Sequence, residues 1–136
     1  MPGFSDYMEK AVLDAVTRKA AFPSYTALYL ALCTVAVTDS DTGATITEAN
    51  YTGYARLQIP AADWTAAAGA AATVTTAAQK QFADCTAGSS TVIGWALCTA
   101  ATGGNVVMYG TCPSVTISPT QTPATIAAGA LTLGID

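Results

Sequence analysis

The sequence predicts a mainly β chain: a single β-sandwich or jelly-roll-like domain over residues 1–136 with one N-terminal amphipathic helix. Three observations predict it. Apolar residues recur at helical spacing only before Pro23. After Pro23 they fall in short runs, several of them alternating, as strands require. Between the runs lie clusters of Gly, Pro, Asn and Asp, the residues that turns demand.

The helix is expected over residues 4–20 and the sandwich over 24–136. Phe4, Met8, Ala11, Val12, Ala15 and Val16 follow the spacing of one apolar stripe, while Glu9, Lys10, Asp14 and Arg18 fall elsewhere. Asp6 is placed to cap the helix, with Glu9 three residues on completing a capping box, and Pro23 stops it. Such a stripe suits a helix lying across the open end or face of a sheet. Docking on a partner would use the same stripe.

Tyr25 to Thr34 reads as a strand with Leu28, Leu30 and Leu32 on one side and Tyr29, Ala31 and Cys33 on the other. Apolar residues on both sides make it a central strand, buried on both faces. Residues 36–53 form a long polar loop, and a second strand runs from Tyr54 to Ile59, ending at Pro60. The Ala-rich stretch 61–78 has helical composition. Gly69 and the β-branched Thr73, Val74, Thr75 and Thr76 argue instead for a loop leading into a strand, anchored by Trp64. Lys80 to Cys85 is a short strand with Phe82 inward. The clearest hairpin joins Val92–Thr99 to Val106–Thr111 through Ala100-Ala101-Thr102-Gly103-Gly104-Asn105, with Trp95 half buried. Ser114–Ser118 and Ala130–Ile135 complete a count of seven or eight strands.

Composition narrows the function. The chain has no histidine, five Lys or Arg and nine Asp or Glu, and only 10% of it is charged, against a usual share of about 25%. Most protein catalysis and metal chemistry leans on histidine, clustered carboxylates or activated thiols. A surface of Thr, Ser, Ala and backbone is cheap to desolvate and suits an interface. The net charge of −4, with Arg56 and Lys80 isolated and the other basic residues sharing the helix with Asp6, Glu9 and Asp14, argues against nucleic acid as a partner. The longest apolar run, Ala27 to Ala36, falls far short of the roughly 20 residues of a membrane span. The amphipathic, acidic N-terminus is unlike a signal peptide, so synthesis and folding in the cytosol are expected.

No motif carries chemistry. Cys33, Cys85, Cys98 and Cys112 show no CxxC spacing, so buried thiols acting as small apolar residues are the favoured reading. One or two disulfides are the alternative if the final assembly leaves the cell. Asp39 and Asp41 open like a calcium loop that does not continue, which leaves a surface turn. No catalytic residue, cofactor or metal site is expected. Tyr51 and Trp64 can anchor a sugar or a protein, or pack a loop.

The order of residues is itself informative. Phe4-Ser5-Asp6-Tyr7-Met8-Glu9-Lys10 opens the helix. It is followed by Tyr25-Thr26-Ala27-Leu28-Tyr29-Leu30-Ala31-Leu32-Cys33-Thr34 and by Gly53-Tyr54-Ala55-Arg56. Gly94-Trp95-Ala96-Leu97 then leads to Ala100-Ala101-Thr102-Gly103-Gly104-Asn105, and Gly129-Ala130-Leu131-Thr132-Leu133 closes the chain. This order resembles a family of small tailed-bacteriophage virion proteins, commonly labelled tail fibre or structural proteins. Cys98-Thr99 stands where that family often has Phe or Tyr followed by Asp. The resemblance implies a structural protein of the virion and no enzymatic activity.

The leading expectation from it is a capsid decoration (cement) protein that binds the outer shell and stabilises it. Its partner would be the major capsid protein or another virion protein, and its oligomer a homotrimer. The second is a tail-tip, collar or tail-fibre-associated protein. A third is a host-glycan module using Trp64, Tyr51 and Asn50. Expected interface residues are Phe4, Tyr7, Met8, Tyr51 and Trp64, within three contact regions: the helix, the 36–53 loop and the 61–78 segment. Loss of residues 1–20 is expected to abolish particle binding or solubility.

Overall fold

A computed structural model describes residues 3–69 and 72–134. Its elements, in chain order, are β1 (Gly3–Phe4), α1 (Asp6–Val16), β2 (Ala27–Cys33), β3 (Leu57–Pro60), a 3-10 turn (Ala61–Asp63), β4 (Val74–Thr75), β5 (Lys80–Gln81), β6 (Ser90–Cys98), β7 (Val106–Ile117), β8 (Thr125–Ile126) and β9 (Thr132–Leu133). The chain is mainly β with one N-terminal helix, as its sequence predicts. Five strands form an antiparallel sheet in the order β1-β7-β6-β2-β3. Two short ribbons, β4–β9 and β5–β8, stand beside it.

The period-2 pattern of β2 works as the sequence implies. Leu30 and Leu32 enter the larger core with Ile59, Trp95, Leu97 and Val107. Ala31 and Cys33 enter a smaller core on the other face with Ala96, Cys98 and Val106. Both neighbours of β2 are hydrogen-bonded strands, so the backbone is satisfied while both faces are buried. The larger core is covered by α1 through Met8, Ala11 and Val12, by the ribbons through Ile126 and Leu133, and by Trp64 at the end of the 3-10 turn. The smaller is covered by Val37 and Ile46 of the 36–53 loop. The domain is sandwich-like: the five-stranded sheet packs on one face against α1 and the short ribbons, and on the other against the 36–53 loop.

The helix differs from expectation at both ends. Phe4 belongs to β1, where it pairs with Met108. The cap is Ser5, not Asp6: its backbone is extended, and its Oγ accepts from the Met8 N–H at 3.4 Å. The same hydroxyl donates to the Val106 carbonyl oxygen. An ionised carboxylate can only accept, so of Ser5 and Asp6 only the Ser5 hydroxyl can cap α1 and also donate to β7, and Ser5 is fully buried between them. At the other end, Lys19 N–H bonds Asp14 O at 2.8 Å and Arg18 N–H bonds Ala15 O at 3.1 Å. This is a Schellman ending with Arg18 at φ 58°. The helix therefore ends at Val16 rather than at residue 20, and Val16, the last residue of the apolar stripe, is 75% exposed.

The hairpin is longer than expected. β7 continues through Pro113 to Ile117, so Ser114–Ser118 is not a separate strand. Val92 faces Val115 and Gly94 faces Thr111, which leaves three β7 residues opposite Ile93. Pro113 sits in that bulge, where a missing N–H breaks no ladder bond. Trp95 is more deeply buried than half, 9% exposed, because its ring lies over Gly110, directly opposite in register. A Cβ at Gly110 would stand 2.8 Å from Trp95 Cζ2. Phe82 points inward, 2% exposed, just beyond the two-residue β5. The second strand begins at Leu57 rather than Tyr54. The last is confined to Thr132–Leu133, and Ile135 lies outside the described residues, as do residues 70 and 71 of the Ala-rich segment.

Candidate interaction surfaces

The most elaborate polar structure in the chain centres on Arg56, which sequence reasoning took to be isolated. The guanidinium donates from Nε and Nη2 to the Glu48 carboxylate, the shortest contact being 2.7 Å. Its Nη1 reaches the carbonyl oxygens of Ala100 and Gly103, both at 2.8 Å, and Nη2 reaches Gly43 O at 2.6 Å. All five N–H donors of the guanidinium are thereby used. Glu48 also accepts from the Tyr54 hydroxyl at 2.7 Å, and that hydroxyl accepts from the Leu32 N–H at 3.1 Å.

One cation thus ties the 36–53 loop, the hairpin tip and strand β2 into a single end of the molecule. Burial, reinforced by the hydrogen bond to Glu48, pushes the Tyr54 hydroxyl well above its usual range. Gly43 explains the closeness of the two loops. Its N–H bonds Gly104 O at 3.0 Å, and a Cβ there would lie 2.0 Å from Gly103 O. Gly103 and Gly104, with φ of 59° and 74°, form the turn that aims those carbonyls at Arg56. An open cleft of about 550 Å³ runs past Arg56, Glu48 and Thr102. With every donor of Arg56 spent, the cluster serves structure.

The Asp39–Asp41 turn is also structural. Asp41 accepts from the Thr38 N–H at 2.8 Å and from the Thr38 and Thr45 hydroxyls. The Thr38 backbone bond foremost, then the Thr45 hydroxyl, hold its carboxyl below the ordinary carboxylate value. Among the described residues no group of three or more His, Cys, Asp or Glu is placed to hold a metal ion.

All four cysteines are free. Burial pushes the Cys33 thiol from 9.0 up to about 12, and Cys98 up to about 11. Cys112 is raised for the same reason. These thiols stay protonated near neutrality and pack as small apolar groups.

The five residues expected at an interface are distributed between core and half-buried positions. Met8 and Tyr51 are 2% and 3% exposed and belong to the larger core, so neither has side-chain surface left for a partner. Tyr51 packs edge-to-face on Tyr54 at 5.5 Å and donates to Ala83 O at 3.3 Å. Phe4 and Tyr7 are half-buried, and the Tyr7 hydroxyl meets that of Tyr25 at 2.9 Å. Trp64 is half-buried beside an apolar cleft of about 240 Å³ with Leu28, Val74 and Leu133. Asn50 is exposed, but its side-chain oxygen accepts from Ser90. The five expected residues therefore lie in or against the larger core rather than on one exposed patch.

The large apolar side chains that do face solvent are Leu13, Val16, Phe22, Val35 and Val115, each more than half exposed. Leu13 lies off the predicted stripe, and that mismatch was the available signal. A further apolar cleft of about 350 Å³ opens between the β6–β7 hairpin and the 124–131 segment, lined by Trp95, Val92, Ile117, Ile126 and Leu131. No helix among the described residues is long and apolar enough to cross a membrane.

The chain is β-rich, and the polar residues around Arg56 and Asp41 are committed to holding loops together. The comparison with known families is specific. The family model for Gp80, described as podophage GP4 fiber I protein gp80, matches residues 3–134. The chain belongs to this family, and is a structural protein of the phage virion. No curated protein matches it.

Proposed function

We propose that this chain is a fibre-associated subunit of the phage tail or collar, which works by packing against other virion proteins and without catalysis. The observation that carries this reading is the match to a fibre protein over residues 3–134. It moves the weight from the capsid to the second of the two virion locations expected from the sequence. The dimensions favour a joint or base over a shaft. The longest strand has 12 residues, about 40 Å at the usual strand rise, and the sequence holds no heptad, collagen-like or repeated segment from which a long shaft is built.

The same compactness supports capsid decoration as a second reading, since a cementing subunit needs only a small β domain with a surface that is cheap to desolvate. Labelling purified virions with gold-conjugated antibody against this chain separates the two. Gold confined to the tail, collar or fibre roots supports the fibre-associated reading. Gold spread over the capsid faces overturns it in favour of decoration.

A further inference from the structure

We propose that copies of this chain associate head to tail, the C-terminal end of α1 in one copy docking on the acidic N-terminal end of α1 in the next. The inference is independent of where on the virion the protein sits.

The donor surface is apolar with a basic rim. Leu13 and Val16 are three residues apart, share a helix face, and are 65% and 75% exposed; Phe22, just past the helix, is 54% exposed. Arg18 and Lys19 follow the last turn and are exposed. The ion pairs among the described residues are Lys10–Asp14, Glu48–Arg56 and Asp63–Lys80, so neither Arg18 nor Lys19 has an acidic partner among them.

The receiving surface carries the opposite charge. Asp6 and Glu9 are exposed in the first turn of α1, and the Asp6 N–H bonds Asp39 O at 2.9 Å, which brings Asp39 beside them. None of the three is ion-paired with another described residue. Burial, followed by the charges of Asp39, Glu9, Asp6 and Asp41, raises the Tyr109 hydroxyl, a sign that these carboxylates converge on one spot. Positive and negative ends are thus separated by a helix of 11 residues, about 16 Å long.

Complementarity to the helix dipole accounts for the signs of the charges. It does not account for three large apolar side chains left in water beside the basic end. A partner with apolar contact area and negative charge satisfies both features, and a second copy presents the charge. Such a contact joins unlike surfaces, so it closes into a ring or continues as a filament, according to the rotation between neighbours.

Sedimentation analysis of the full chain tests this. The wild-type protein should self-associate as concentration rises, and raising salt from about 50 to about 500 mM should weaken the association by about tenfold or more. Two charge-reversed variants should each be monomeric: Arg18→Glu with Lys19→Glu, and Glu9→Lys with Asp39→Lys. An equimolar mixture of them should associate, because the reversed ends again match. Leu13→Ser with Val16→Ser should also weaken association, and circular dichroism should show all variants folded. A wild-type protein monomeric at every concentration in low salt would overturn the proposal. So would a charge-reversed variant that associates as wild type does, or monomeric variants that fail to pair on mixing.

Discussion

Arg56 shows what a single residue does in this chain. It is buried, carries a full charge and makes every hydrogen bond its fork allows, to one carboxylate and three carbonyls. Removing one partner of such a pair strands the other charge, at a cost of about 3–5 kcal/mol. Arg56→Ala should therefore lower the urea midpoint sharply. Arg56→Lys should recover only part of the loss, because an ammonium offers three donors and no planar fork. Equal stability of Arg56→Lys and wild type would show that charge alone matters. The buried thiols make a second prediction at this scale. With folded values near 12 and 11 against 9.0 in the unfolded chain, the unfolded state loses its thiol protons first as pH rises. Their contribution is full below about pH 9 and should fall by about 1.4 kcal/mol per pH unit per thiol above it. In Cys33→Ala with Cys98→Ala, the decline in stability between about pH 9 and pH 11 should be shallower than in wild type.

Among the elements, the two strongest patterns in the sequence were also the ones the fold obeys. Alternation in Leu28 to Cys33 marked a strand buried on both faces, and the Gly103-Gly104 turn marked the hairpin. Both are local, set by the period of the backbone and by left-handed turn positions. What escaped depends on distant residues. Arg56 meets carbonyls 44 and 47 positions away, and no spacing rule in one sequence announces that. Ser5 outranks Asp6 as the cap because of Val106, a hundred residues on. Pro113 reads as a stop, yet the bulge opposite Ile93 absorbs it. Two of the five expected interface residues illustrate a related point: size and aromatic or apolar character single out Met8 and Tyr51, and the same properties send them into the core. The helix makes the distinction testable. Met8→Ala should cost about 2–5 kcal/mol in thermal or urea unfolding, while Leu13→Ser, at a position 65% exposed, should change stability by no more than about 0.5 kcal/mol.

At the scale of the whole molecule, the chain carries two opposed tendencies. Its interior is tied together with unusual thoroughness around the loops, through Arg56, the Asp41 turn and the Ser5 cap. Its exterior is low in charge and leaves a few large apolar side chains uncovered. A rigid body with a surface that is cheap to desolvate suits a part whose work is to be held in a larger assembly. Family membership says what kind of assembly: a phage virion, in a family described by its fibre. The claim that this chain is a fibre-associated subunit is tested most directly by its copy number in purified virions, measured by quantitative mass spectrometry against the major capsid protein. Tail and collar symmetry predicts on the order of one to a few dozen copies per particle. A count in the hundreds, approaching one per capsid subunit, would contradict the account and make the protein a covering of the shell.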